Sequence, residues 1–185
     1  SARFQELLCS ASTAQVLCED AKIDPELGYS TALLRQLGLT LIAWNYPGVY
    51  EQAVAHLKPG ESLDLVIGRQ LGYSPTLLAM RLASNWGIPA QFLAAIDPDL
   101  VDDEEQFISG AISETLAEIC RIGERLARAN HPLIYPEAES DWNSARIEIE
   151  ERLGPSGIQK IQQKFQENCV SYIESAPAIF KPGLI

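Results

Sequence analysis

Few residues in this sequence are of the types that carry catalysis or metal binding. The two histidines, His56 and His131, lie about 75 residues apart along the chain. The chain also contains four cysteines: Cys9, Cys18, Cys120 and Cys169. They form no Cys-x-x-Cys pair, and none is a close sequence neighbour of a histidine, which argues against a zinc finger or a redox-active dithiol. We therefore expect four small, buried thiols in a reducing compartment.

Two other features invite a chemical interpretation. Six acidic residues fall within residues 97–105, but their spacing differs from that of a calcium-binding loop, which alternates its ligands around a central glycine. We interpret them as a solvated loop that leads into a helix N-terminus, with a cation site or a basic partner as the alternatives. Ser74 precedes Pro75, which is the ordinary arrangement at the start of a helix and does not indicate a nucleophile.

Composition limits the possible partners. The formal net charge is -11, and the chain has no basic cluster. Binding to nucleic acid depends on neutralising phosphates, so we expect no nucleic-acid partner. The longest nearly uncharged apolar run, 37–44, is far shorter than the roughly 20 residues that span a bilayer. We expect a cytoplasmic protein without a membrane segment, and because the chain begins inside a predicted helix we expect it to be a fragment.

Apolar residues recur with helical periodicity along the whole chain, and the sequence therefore predicts an all-α fold. The sequence predicts helix N-caps at Asp24, Ser62 and Ser74, and proline follows Asp24 and Ser74. The pattern predicts a first helix over 4–21 and a second that continues from Pro25 through Ile42. Gly87 is expected to end the helix that Ser74 begins, with Trp86 as an anchor at its end.

In the second part of the chain, the apolar pattern predicts three longer helices. The first runs over 104–130 with one buried face, and the second runs over 139–153. The last runs over 156–175, and its apolar stripe would pack on its own domain or, as the less favoured alternative, form a dimer seam.

Three strings, in order and correctly spaced, resemble the HDOD family of signal-output domains. Leu33-Leu34-Arg35-Gln36-Leu37-Gly38 is similar to its Leu-Leu-His-Asp-Ile-Gly. Tyr46-Pro47 with Tyr50 is similar to its Phe-Pro-x-x-Tyr turn. The stretch 72–89 matches its Gly-x-Asp-His…Trp-Gly-Leu-Pro segment without a gap.

The resemblance implies an HD-like helical bundle with additional C-terminal helices. We interpret the chain as the C-terminal part of a single family domain. We assign 1–97 to its HD-like core and 98–185 to a helical extension. The resemblance also implies a bacterial signalling context.

The family is related to HD-domain phosphohydrolases, in which histidines and aspartates hold metal ions that activate water. The resemblance places its His-Asp pair on Arg35 and Gln36, and its later Asp-His pair on Ser74 and Pro75. A histidine of the first helix falls near Cys9. The first four positions carry no strong ligand, and Arg35 adds positive charge where a cation belongs. We expect no enzymatic activity, no metal and no other cofactor.

Three functions follow, in order of preference. The first is a non-catalytic output or protein-interaction module, with signalling proteins as partners. The second is a sensor that binds a nucleotide or other anion in the vacated pocket around Arg35, with Arg69 and Arg81 nearby. The third is a residual metal-dependent phosphohydrolase. The oligomeric state is left open.

Overall fold

The computed structural model describes residues 2–89, 93, 95–96 and 110–179. Helices account for most of this part of the chain, and it contains no strand, so the predicted all-α class is confirmed. The helices are α1 (Ala2–Asp20), α2 (Pro25–Arg35), α3 (Leu37–Asn45), α4 (Pro47–His56), α5 (Leu63–Leu71), α6 (Pro75–Asn85), α7 (Gly110–Ala129), α8 (Ala138–Leu153) and α9 (Gly157–Ile179). None of the helices described here is both long and apolar enough to cross a membrane.

The predicted helix starts are confirmed. The Asp24 carboxylate accepts a hydrogen bond from the backbone N–H of Glu26 at 3.0 Å. The hydroxyls of Ser62 and Ser74 accept from the N–H groups of the third residue after each, at 3.2 and 3.0 Å. These oxygens satisfy backbone donors that the first turn of a helix leaves without partners. Gly87 follows the end of α6 in the left-handed region, at φ +75°.

The prediction of one helix from Pro25 to Ile42 is wrong. The helix breaks at Gln36, where φ is -101° and ψ is 0°, and α3 begins at Leu37. The packing of Gly38 explains the break, because a Cβ added there would lie 1.8 Å from the backbone oxygen of Pro75. The change of direction brings the start of α3 directly onto the start of α6, and only glycine permits that approach.

Helix α1 is central to the main core. It packs against α2, α7 and α9. The buried residues of this cluster come from both predicted segments of the chain, including Leu17 and Ala32 before residue 97 and Ile119 and Ile149 after it. The division between 97 and 98 stays a prediction, but the helices on its two sides share this apolar core.

The last helix packs on its own domain through α1. The Asn168 amide donates to the Ser12 hydroxyl at 2.9 Å and to the Gln15 side-chain oxygen at 3.1 Å. The ring of Tyr172 lies against Phe4, with ring centroids 4.8 Å apart. These contacts favour the first of the two interpretations of the α9 stripe.

One expectation is wrong, and another lies outside the described residues. Trp86 does lie at the end of α6, but its side chain is 61% exposed, so it does not anchor the helix in the core of the described molecule. The acidic stretch 97–105 and the predicted helix start at 104 lie outside the described residues.

Candidate functional site

Arg35 is the centre of the candidate site. It is the last residue of α2, and only 12% of its side chain is exposed. Its Nε donates to Oε1 of Glu124 at 2.6 Å, and its Nη2 donates to Oε2 of the same carboxylate at 3.2 Å. Nη1 donates to the backbone oxygens of Ala95 and Ile96, at 2.7 and 3.0 Å. The guanidinium therefore connects three separate stretches of the chain.

A cavity of about 380 Å³ opens beside this ion pair. Its walls come from α1, from the α2–α3 junction, from the stretch 57–64 and from α7, and residues 135–141 complete it. Leu39, Leu57, Leu63 and Ile96 are its larger aliphatic side chains. The cavity thus lies between the HD-like segment and the C-terminal helices.

Of the five residues predicted for the site, the structure brings only Arg35 and Gln36 together at this cavity. The Ser74 hydroxyl is used as a helix cap, and Pro75 is buried against Gly38. Their chain neighbour Thr76 does line the cavity, where its N–H and hydroxyl donate to one oxygen of Asp64 at 2.7 and 2.8 Å.

Cys9 lies in a different place. It lines a second cavity of about 500 Å³ between α1, α7, α8 and α9. Burial raises the pKa of its thiol to about 11. A thiol with so high a pKa is protonated at neutral pH and is a poor nucleophile and a poor metal ligand.

The expected neighbours of Arg35 are also elsewhere. Arg69 is 62% exposed and pairs with Glu61 at 2.6 Å. Arg81 is exposed on α6 and does not line the cavity. Neither Arg69 nor Arg81 lines the cavity beside Arg35, so the cavity does not bring the three arginines together. The basic residues that do line the cavity with Arg35 include Arg3 and Arg128.

A buried polar cluster at the cavity was missed from the sequence. Glu6 is 2% exposed, and its Oε2 accepts from Arg3 Nη1 at 3.0 Å and from the Tyr135 hydroxyl at 2.6 Å. Burial raises the pKa of Tyr135, and the Glu6 charge raises it further, so the phenol stays protonated and donates. A signal was available, because positions 3, 6, 10, 13 and 17 follow one face of α1. All five of those residues are buried.

A further pair closes the cavity between α7 and α8. Arg128 donates to both oxygens of Asp141, from Nε at 2.8 Å and from Nη2 at 2.9 Å. Burial alone would lower the pKa of Arg128, but the bonds to Asp141 outweigh it, so that the pKa is raised. The carboxylates that face this cavity are thus largely engaged by guanidinium groups of the same chain.

These residues do not fit a metal centre. In the described part of the chain, no three His, Cys, Asp or Glu side chains lie together so as to hold a metal ion. At the position where the resemblance puts a His-Asp pair, Arg35 supplies a cation, and the buried amide of Gln36 is a weak ligand. Hydrolysis by a metal-activated water has no donor set at this position.

Comparison with known families identifies the chain. A model of the HDOD domain matches residues 3–98, which is more than half of the chain. The chain belongs to the HDOD family. No curated protein and no solved structure matches it. The HDOD match ends ahead of α7, so the Arg35–Glu124 ion pair joins the matched part to a helix beyond it. Membership is consistent with a signalling output domain.

Proposed function

We propose that this HDOD chain is a non-catalytic output or scaffolding module of a bacterial signalling protein, acting in the cytoplasm through protein partners. The Arg35–Glu124 ion pair carries the proposal. It puts a charged group of the protein at the position to which the resemblance assigns the family's His-Asp pair. A metal ion next to a guanidinium would meet like charge at short range, which disfavours binding.

The same ion pair supplies a physical route for signal transmission. Glu124 belongs to α7, which packs against α1, while Arg35 ends α2. A displacement of α2 must either carry α7 with it or break a hydrogen-bonded pair that is only 12% and 20% exposed. Such a pair favours two discrete arrangements of α2 and α7, one with the pair formed and one with it broken. A protein partner can bind one of these arrangements more tightly than the other.

Complementation of a deletion strain tests the signalling role. The readout is the set of transcripts whose abundance changes on deletion. The wild-type gene is expected to restore them, whereas Arg35→Leu at a matched protein level is expected to fail. Arg81→Leu, at an exposed arginine on α6, is the control and is expected to restore them. A deletion without any transcript response, or full restoration by Arg35→Leu, contradicts the proposal.

A second experiment tests the absence of catalysis. The purified chain is incubated with Mn²⁺ or Fe²⁺, desalted, and assayed for bound metal and for hydrolysis of bis-p-nitrophenyl phosphate. We expect neither stoichiometric metal nor turnover. One metal ion per chain together with hydrolysis that a chelator abolishes would support the residual phosphohydrolase instead.

The anion sensor centred on Arg35 ranks second. A phosphate would be expected to bind a guanidinium at two points, but two nitrogens of Arg35 already donate to Glu124 and the third donates to two carbonyls. An incoming anion would have to displace the carboxylate and leave it partly buried. A thermal-shift screen with phosphorylated ligands, repeated on Arg35→Leu, is therefore expected to show no shift in either protein.

A further inference from the structure

The second cavity, which Cys9 lines, has no part in the proposed function. It has a volume of about 500 Å³ and lies between α1, α7, α8 and α9. This volume falls in the range of pockets that hold small molecules, roughly 300–1,000 Å³. Of these four helices only α1 lies within the residues that match the HDOD model, so the cavity is built mainly by the C-terminal helices.

The walls of this cavity are mainly apolar. Seven of its twelve lining residues are apolar when the Cys9 thiol is included, so apolar groups set its character. Ile158 and Ile161 contribute aliphatic side chains, and Trp142 and Phe165 contribute aromatic rings. Trp142 is still 39% exposed, so the fold leaves apolar indole surface that a ligand can cover. Such walls, with a few polar groups among them, are typical of small-molecule sites.

The described residues around this cavity include none of the four strongly charged types. None is Asp, Glu, Lys or Arg, although these types make up 21% of the sequence. Burial raises the pKa of the Cys9 thiol to about 11, so the thiol adds no charge either. The remaining ionisable residue of the lining is His131. A charged ligand would lose hydration here without gaining a strong counter-ion, which favours a neutral ligand.

Side-chain amides supply most of the polar groups of the lining. Asn130 is already engaged, because its amide donates to the backbone oxygen of Leu126 at 2.7 Å. Gln5 on α1 and Gln162 and Gln166 on α9 are exposed, so they lie on the solvent side of the cavity. A carboxamide offers two N–H donors and one acceptor oxygen without a net charge. These glutamines therefore suit an uncharged carbonyl or amide group of a ligand.

We propose that this cavity binds a small, uncharged aromatic molecule that carries a carboxamide group. Its ring packs against Trp142, Phe165 and the aliphatic walls, and its carboxamide exchanges hydrogen bonds with the glutamines on the solvent side. This inference does not rest on the proposed signalling role. It uses neither Arg35 nor the cavity beside it, so its failure would leave that proposal unaffected.

Competition between two matched ligands tests the site. The uncharged dye N-phenyl-1-naphthylamine, whose emission rises in apolar surroundings, reports occupancy, and 2-naphthamide and 2-naphthoate compete with it. The competitors share a ring system and a carbonyl group but differ in charge at pH 8, where imidazoles of ordinary pKa are neutral. We expect saturable binding of the dye and at least tenfold stronger displacement by 2-naphthamide than by 2-naphthoate. Failure of the dye to bind, failure of 2-naphthamide to displace it, or equal displacement by both competitors overturns the proposal.

Two tryptophan variants locate the binding. Trp142→Ala removes an aromatic wall and is expected to weaken binding of 2-naphthamide at least tenfold. Trp86→Ala is the matched control, since Trp86 is 61% exposed at the end of α6 and does not line this cavity. It should bind like the wild type. Unchanged affinity in folded Trp142→Ala, or an equal loss in Trp86→Ala, overturns the assignment.

A charge placed at an exposed position tests the same site without disturbing the core. Gln162→Lys puts a cation in the lining and should improve displacement by 2-naphthoate at least threefold, because the carboxylate gains a counter-ion. Gln159→Lys is the control, since Gln159 is also exposed on α9 but does not line the cavity. Equal displacement by 2-naphthoate in the two lysine variants overturns the placement, and this comparison stands even if Trp142→Ala fails to fold.

Discussion

The guanidinium of Arg35 and the carboxylate of Glu124 form a two-point ion pair between residues that lie 89 positions apart in the chain. The pair is short, at 2.6 Å for its closer contact, and its side chains are 12% and 20% exposed. The resemblance to the family places its His-Asp pair, which holds metal in the related HD-domain phosphohydrolases, on Arg35 and Gln36. The residue that departs from the family pattern is therefore also a residue that joins α2 to α7.

We expect a strong energetic coupling across this ion pair. Arg35→Leu and Glu124→Leu should each lower the free energy of unfolding by about 1–3 kcal/mol, because each leaves a partly buried charge without its partner. The double variant should lose less than the sum, with a coupling energy of about 1–3 kcal/mol in urea denaturation.

The exposed pair Arg146–Glu150, one turn apart on α8, provides the control cycle. Its side chains are 41% and 38% exposed, so its coupling energy should stay below about 0.5 kcal/mol. Equal coupling in the two cycles would show that the partly buried pair has no special role in stability.

A second prediction concerns the close approach of α3 to α6. Gly38→Ala would put a Cβ 1.8 Å from the Pro75 backbone oxygen, and backbone cannot move aside as a flexible side chain can. We expect a loss of about 2–4 kcal/mol, at or above the usual cost of overpacking. Melting temperatures and urea denaturation measure this loss.

Gly68→Ala is the matched control for Gly38→Ala. A Cβ at Gly68 would have its nearest neighbour at 3.7 Å, an ordinary contact. Since alanine favours a helix interior by roughly 0.8–1 kcal/mol over glycine, Gly68→Ala in α5 should stabilise the protein slightly. Two substitutions with the same chemistry thus have opposite expected signs, and equal effects would contradict this account of the helix break.

Local features of the fold were predictable from the sequence. The caps at Asp24, Ser62 and Ser74 and the left-handed turn at Gly87 depend only on residues within one helical turn. The helix break at Gln36 was not predictable, because the pattern continues through it. The break follows from the packing of Gly38 on a backbone oxygen 37 residues later.

The candidate site was predictable only in part. The resemblance located Arg35 and Gln36, but no local pattern points from Arg35 to Glu124. Arg3 and Glu6 were passed over because charged residues near the start of a helix are usually exposed. Glu6 accepts a hydrogen bond from Tyr135, which the fold brings over from a loop 129 residues later in the chain. Such partners are set by tertiary packing, and a single sequence does not record them.

Tyr135→Phe should lower the free energy of unfolding substantially, although the substitution is small. It removes only a hydroxyl, but that hydroxyl donates to the buried Glu6 carboxylate at 2.6 Å. Hydrogen bonds to charged groups contribute about 1.5–3 kcal/mol, and we expect a loss of that order in urea denaturation. Tyr46→Phe, at a side chain that is 53% exposed, should change stability by less than about 0.5 kcal/mol. Comparable effects at both positions would argue against the buried cluster.

The stability of the chain should fall in alkaline solution because of its buried thiols. Burial raises the pKa of Cys9 and of Cys18 from an ordinary value of 9.0 to about 11. Between those two values the folded chain keeps protons that the unfolded chain has lost. The contribution is fully present below about pH 9 and is lost as the pH rises toward 11, by up to about 1.4 kcal/mol per pH unit for each thiol.

Urea denaturation at pH 8, 9 and 10, with reductant present, measures this dependence. The double variant Cys9→Ala/Cys18→Ala should start from a lower stability at pH 8 but lose less of it on going to pH 10. Part of the slope will remain, because burial also raises the pKa of Cys120 and of Tyr135. Cys169→Ala, at a more exposed thiol, should keep nearly the whole wild-type slope. If the double variant shows the wild-type slope as well, the thiols of α1 are not the groups whose ionisation destabilises the fold.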